Sequence, residues 1–171
     1  MMNLNDLIPM SPSILFVTGL ALSCAMLSGL FFVFSNFAMR AFSTIPANSG
    51  VLAMQSINAT ILNPGFFGLF IGTAAGSLTV LVVALRHWGH PASFWVAAGA
   101  LLCLGGCYLV TAGINVPLNR QLDQVDPADP GAAEAWVNYL GRWQPWNHVR
   151  TIATFLSAVC FAIGALNLVG R

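Results

Sequence analysis

The stretch Arg142-Trp143-Gln144-Pro145-Trp146-Asn147-His148-Val149-Arg150 sets two indoles, two carboxamides, an imidazole and two guanidinium groups side by side. Guanidinium and amide N–H groups can hold a developing negative charge, and an imidazole can move a proton near neutral pH. Pro145 suits the first turn of a helix, where its missing N–H and fixed φ cost nothing. The spacing therefore predicts a helix from Pro145 through Thr151 to Val169. On it Asn147, Arg150, Thr151 and Thr154 share one face, and His148 points about a quarter-turn away. The plain alternative is that an Arg at the lip of an apolar run only anchors its helix by reaching for the interface.

The elements that must position these groups follow from composition. The chain has 171 residues, 57% of them hydrophobic and 6% charged, with no Lys and six Arg against five acidic residues. Its mean hydropathy is +0.78. This is the composition of an integral membrane protein of one domain, and a net charge of +1 leaves no basic stripe for nucleic acid. Met1 to Pro12 carries no Lys or Arg ahead of the first apolar run, and that run is too long for a signal sequence, so no cleavage is expected. Runs of about twenty apolar residues give four spans, at about Ile14 to Met39, Ile61 to Leu85, Ser93 to Ile114 and Pro145 to Val169. The expected fold is all-α, an antiparallel four-helix bundle in the membrane. Pro127, Pro130 and Gly131 mark an irregular loop before the last span, and Ala132 to Leu140 reads as a short interfacial helix.

Membrane helices associate through small residues, and three rows supply them. Gly68, Gly72 and Gly76 form a double GxxxG on the second span; Gly99, Cys103 and Gly106 line the third; Thr154, Ala158, Ala162 and Ala165 line the fourth. Each row is expected against a neighbouring helix. Cys24, Cys103, Cys107 and Cys160 all fall inside spans, where thiols behave as small buried side chains. Cys103 and Cys107 share a helix face, but a soft-metal pair would want further ligands.

In an up-down bundle the polar residues meet in one layer. Ser35, Asn36 and Arg40 end the first span; Gln55, Asn58 and Asn63 precede or open the second; Asn115, Asn119 and Arg120 close the third; Asn147, His148 and Arg150 open the fourth. Asn63 ahead of Pro64 reads as a helix cap. Asn115 and Asn119 sit one turn apart around Pro117, and buried amides in lipid must find partners. The opposite side has Arg86, His87 and His90 in a short turn, the acidic N-terminal tail and Arg171. Weighing Arg40, Arg120 and Arg142 against Arg86 and Arg171 by the positive-inside rule leans the polar side toward the cytoplasm, across a cell's inner (plasma) membrane. Nothing in the chain sets an oligomeric state.

Met54-Gln55-Ser56-Ile57-Asn58, then Asn115-Val116-Pro117-Leu118-Asn119, then Trp143 with Asn147, His148 and Arg150, in that order on four spans, resemble the DUF1772 family, whose named members are anthrone oxygenases. Ser35 near the end of the first span fits the same pattern. The resemblance covers nearly the whole chain. It implies a membrane-embedded enzyme that oxidises an anthrone to an anthraquinone with O₂ and without an organic cofactor, its partners being a small lipophilic aromatic substrate, O₂ and the bilayer. An anthrone is a carbon acid, so the site needs oxyanion donors, a base and a dry cavity. Arg150 with Asn58, Asn115, Asn119 and Asn147 would supply the donors, and His148 the base. Gln55, Trp143 and Trp146 would bind the substrate, with Trp136 as a further stacking surface; the alternative for the Trp residues is an interfacial aromatic belt. Two other readings stay open. One is a non-catalytic accessory protein whose amide and Arg cluster is a structural lock or a lipid headgroup site; the other is a metal- or haem-dependent redox protein, for which an axial His should face the bundle.

Overall fold

The computed structural model describes residues 11–169, so the acidic N-terminal tail and Arg171, which entered the cleavage and orientation expectations, lie outside the described residues. Five helices follow in order: α1 (Pro12–Ser43), α2 (Ala47–Thr60), α3 (Pro64–Arg86), α4 (Pro91–Leu122) and α5 (Ala132–Val169). Among the described residues there is no strand. The helices α1, α3, α4 and α5 are long and apolar enough to cross a membrane; α2, at 14 residues, is not. α5 packs against α1 and α4, and α3 closes the ring against both of them.

The starts of three spanning helices use one local device. Ser11, Asn63 and His90 each precede a proline at the first helical position, and each side chain accepts a hydrogen bond from a first-turn N–H, of Ile14, Phe66 and Ala92 respectively. The cap satisfies an otherwise orphaned donor, and the proline occupies a position whose N–H has no helical partner. Asn63 is thus the cap its sequence position suggested.

Pro145 is different. The expected helix start there, and the separate short helix at 132–140, are replaced by one continuous helix of 38 residues with Pro145 inside it. Gln144 is a poor cap, and Trp136, Tyr139 and Trp143 upstream are all buried on the same helix face. Their packing offsets the roughly 3 kcal/mol that an interior proline costs.

Helix lengths explain where the polar residues go. The 32 residues of α1 and α4 and the 38 of α5 make rods of about 48 to 57 Å, against a hydrocarbon thickness of about 30 Å, while the 23 residues of α3 make only about 35 Å. The α3–α4 turn is short, so the overshoot lies at the other end, where α2 joins α1 to α3. There Met39, Val51, Met54, Leu118, Leu122 and Trp136 form a separate core. Within the span, Ser28, Thr73, Ser77, Thr154 and Ser157 are buried while Leu22, Met26, Leu78, Leu109, Phe155 and Leu166 face outward. That inside-out polarity, with the four apolar spans, marks an integral membrane protein.

The glycine rows are only partly in contact. A β-carbon on Gly76 would meet Leu20 at 2.7 Å, whereas one on Gly68 or Gly72 would meet nothing within 4 Å. Positions four apart drift by about 40° per step, so the row rotates off the face made by Thr73, Gly76, Ser77, Val80 and Ala84. On the α4–α5 seam, a β-carbon on Gly106 would overlap that of Ala153, and one on Gly99 would press on Phe161. On α5 the seam takes Thr154, Ala158 and Ala165, but Ala162 is exposed and Phe161 is buried in its place. Cys24 and Cys103 lie inside the bundle with sulfurs 3.7 Å apart.

Gly76→Leu and Gly106→Leu should each lower the unfolding midpoint in detergent, by about 1–3 kcal/mol of overpacking, while Gly68→Leu and Gly72→Leu leave it unchanged. Equal effects at all four positions would contradict the packing described.

Candidate functional site

Arg150 is 6% exposed and neither of its side-chain hydrogen bonds goes to a carboxylate. Its Nη2 donates to Asn147 Oδ1 at 2.6 Å and its Nη1 to Thr111 Oγ1 at 3.3 Å. The guanidinium carbon lies 4.4 Å from the Phe31 ring centroid and 5.2 Å from that of Trp143. Cation–π contacts of this kind contribute about 2 kcal/mol when desolvated, against an insertion cost of about 2.5–3.5 kcal/mol for an Arg at mid-membrane. The side chain is therefore held inside rather than snorkelling outward.

Asn147 is the clamp behind it. Its Nδ2 donates to the Phe31 carbonyl at 2.9 Å and to Ser35 Oγ at 2.8 Å, so one amide ties α5 to α1 while its oxygen holds Arg150. Ser35 Oγ in turn lies 2.9 Å from Thr151 Oγ1, and Ser28 Oγ donates to the Thr151 carbonyl. Ser35 sits in a π-helical turn, Phe34–Ala38, and Thr111 and Asn115 in another, Thr111–Asn115. The second follows another π stretch, Leu102–Leu109, and in it the Val116 N–H reaches back five residues to the Thr111 carbonyl, just ahead of Pro117, which has no N–H to give the Gly113 carbonyl. Such single-turn bulges recur at functional sites because they re-aim side chains.

Arg150 lines a cavity of about 460 Å³ between α1, α2, α4 and α5. Its polar lining is Asn58, Thr111, Asn115, Asn119, Arg120, Asp123 and Arg150; its apolar wall includes Phe31, Phe34, Met54, Ile57, Phe66 and Trp143. Asn115 is buried and donates to the Trp143 carbonyl at 3.3 Å, Asn119 accepts from Tyr139 Oη at 2.9 Å, and Asn58 Nδ2 donates to Asp123 Oδ1 at 3.1 Å. Five buried polar side-chain atoms among the described residues have no hydrogen-bond partner. Three of them, Asn115 Oδ1, Trp143 Nε1 and Arg150 Nε, belong to residues that line this cavity.

The structure thus brings Asn58, Asn115, Asn119, Trp143 and Arg150 to one cavity, and places four expected site residues elsewhere. Asn147 is fully buried behind the wall. Gln55 donates to the Leu122 and Val125 carbonyls, closing the C-terminal end of α4 instead of facing the cavity. His148 and Trp146 lie on the exposed face of α5, Trp146 being 41% exposed, and neither lines the cavity. The reason is angular: Asn147 and Arg150 point inward, so residues between them on a helix point out. Trp136 packs over Gly50 of α2 and stacks on Tyr139, in a row that continues to Trp143.

Thr111 and Asp123 were not singled out from the sequence. Asp123 had a signal, since four-residue steps from Asn115 through Asn119 land on it, but the polar row read from the sequence ends at Asn119 and Arg120. At the opposite end His87 Nδ1 bonds the Val83 carbonyl and His90 caps α4. Neither faces the bundle as an axial ligand would, and among the described residues no three His, Cys, Asp or Glu gather closely enough to hold a metal ion.

Fold and cavity together define a membrane-spanning helical protein with a polar cavity at one end of its bundle. The anthrone oxygenase family matches residues 66–160, more than half of the 171 residues, and the chain belongs to that family. The match runs from α3 to α5 and takes in Asn115, Asn119, Asp123, Trp143, Asn147 and Arg150. Comparison with curated proteins and with solved structures gives no match.

Asn147→Leu should cost about 1–3 kcal/mol or more, because it strands Arg150, Ser35 and the Phe31 carbonyl together. Thermal unfolding in detergent checks this. A midpoint unchanged from the parent would show that the clamp does not hold α1 to α5.

Proposed function

We propose that the protein is a membrane oxygenase for a flat, lipophilic hydroxyaromatic ketone of the anthrone type, which it converts to the quinone with O₂. The observation that carries this reading is a buried guanidinium, unpaired with any carboxylate, lining a cavity beside an indole face. A cavity of about 460 Å³ falls within the range of about 300–1,000 Å³ of small-molecule sites. Such a site suits a neutral substrate that becomes an anion only as it reacts, since donors aimed at developing charge in a dry setting stabilise the transition state more than the ground state.

The chemistry balances without a further reactant. A proton leaves the methylene opposite the carbonyl, and the electron pair delocalises onto that carbonyl oxygen as an aromatic oxyanion held by Arg150. One electron passes to O₂, the two radicals join as a new C–O bond, and protonation gives a hydroperoxide. Loss of water from it leaves the second carbonyl. One O₂ is consumed, one of its atoms enters the quinone, and the other leaves as water with the two methylene hydrogens. Phe31, Phe34, Phe66 and Trp143 supply the flat apolar walls, and Leu62, a lining residue that is 60% exposed, marks the side from which a membrane-dissolved substrate arrives.

Part of the polar layer has a structural role in this reading, since Gln55 and Asn147 spend their hydrogen bonds on backbone carbonyls of other helices. The protein sits in the plasma membrane with the α2 end toward the cytoplasm, on the balance of Arg40, Arg120 and Arg142 against Arg86.

Arg150→Ala should lower kcat for anthrone by about a hundredfold to a thousandfold, the usual loss for one oxyanion donor, and Thr111→Val by less. The assay is oxygen uptake with quinone formation in membranes. Turnover unchanged in folded Arg150→Ala would remove the oxyanion role. Chelation should leave turnover intact; activity lost on chelation and restored by metal would favour the metal-dependent alternative. For orientation, reporters placed after Arg171 and within the 87–90 turn should both fall on the non-cytoplasmic side of the membrane, opposite one placed in the 124–131 loop. A reporter after Arg171 that reads cytoplasmic would reverse the orientation.

A further inference from the structure

We infer that Asp123, oriented by Asn58, is the base that removes the methylene proton, an inference that rests on the oxidation proposed above. Among the residues lining the cavity, Asp123 is the one carboxylate. The remaining acidic residues described, Asp126, Asp129 and Glu134, do not reach it, and neither does any histidine. The cavity is therefore built with opposite capacities: a guanidinium that can hold an oxyanion, and a carboxylate that can take a proton.

The placement of Asp123 is determined from two sides. It terminates α4, where its backbone N–H donates to the Asn119 carbonyl at 2.9 Å, so its Cα is fixed relative to Asn119 and Asn115, one and two turns back. The carboxylate is then held by Asn58 Nδ2 through Oδ1. Asn58 is 9% exposed and sits on α2, which Gln55 ties to the end of α4 through the Leu122 and Val125 carbonyls. An amide donor to one carboxylate oxygen leaves the lone pairs of the other free to accept a proton. Asn58 is in this sense a positioning residue, and α2, too short to span, is the element that carries it. Arg120 also lines the cavity and is the nearby positive charge on the same helix.

In the step itself the C–H bond breaks, its electron pair stays on the ring system as the oxyanion at Arg150, and the proton passes to Asp123. The proton then leaves Asp123 for the peroxide anion, giving the hydroperoxide, or for water at the exposed rim. A positioned general base contributes about 10²–10⁴-fold.

The step can be read without oxygen. In D₂O under anaerobic conditions, membranes carrying the protein should speed deuterium exchange into the anthrone methylene. Asp123→Asn should lose about 10²–10⁴-fold of that rate, Asp123→Glu should retain part of it, and His148→Ala should keep it. Asn58→Ala should lower the rate at saturating anthrone, counted per molecule of folded protein, while leaving KM unchanged. Gel filtration and thermal unfolding establish that each variant is assembled. If Asp123→Asn exchanges within about threefold of the parent, or His148→Ala loses exchange, the base assignment is overturned while oxygen uptake still stands. If the parent exchanges deuterium but consumes no O₂, the base assignment holds and the oxidation reading falls. A parent that does neither overturns both.

Discussion

A charged side chain buried in a membrane bundle must be compensated locally, and the way Arg150 is compensated shapes the polar end of this protein. Its partners are an amide, a hydroxyl and two aromatic faces. That choice leaves the guanidinium able to receive an anion. A buried carboxylate in place of Thr111 would have neutralised it and closed the option. The same compensation also ties helices together, because Asn147 accepts from Arg150 through its oxygen and donates its amide hydrogens to α1.

The bulged turns belong to this arrangement. On α4 the π geometry runs over Leu102–Leu109 and again over Thr111–Asn115, and the second stretch carries Thr111 and Asn115, which line the cavity. On α1, the π turn at Phe34–Ala38 includes Ser35, which meets both Asn147 and Thr151. The π geometry is not confined to the polar end, since Leu102–Leu109 of α4 adopts it as well, with Cys103 in the core that fills the other half of the bundle.

Helix length supplies the other constraint. Because α1, α4 and α5 extend beyond the hydrocarbon and α3 does not, a second core forms at one end with α2 laid into it. The cavity lies between that core and the small cluster of Leu27, Phe31 and Cys107 within the span. Its deep side, at Arg150, Phe31 and Trp143, is buried, and its rim, at Asp123 and Arg120, is exposed. On the proposed reading, a substrate carried in lipid would meet its base near water and its oxyanion donor away from it.

Composition and run length alone determined the membrane class, the four spans and the side on which the polar residues gather, because lipid admits only helices with internal hydrogen bonds and tolerates few charges. The cap at Asn63 and the inward face of Asn147, Arg150, Thr151 and Thr154 were legible too, since each depends on local spacing. What depended on neighbours was not. Pro145 reads as a helix start until Trp136 and Tyr139 are seen to be buried upstream, and Gly68 and Gly72 read as a packing seam until the drift of a four-residue row turns them outward. His148 has the right chemistry for a base and the wrong angle, whereas Asp123 looked like loop and was brought to the cavity by the continuation of α4 and by an amide on α2. Spacing along one helix sets which side chains share a face; only the packing of several helices decides which of those faces encloses a cavity.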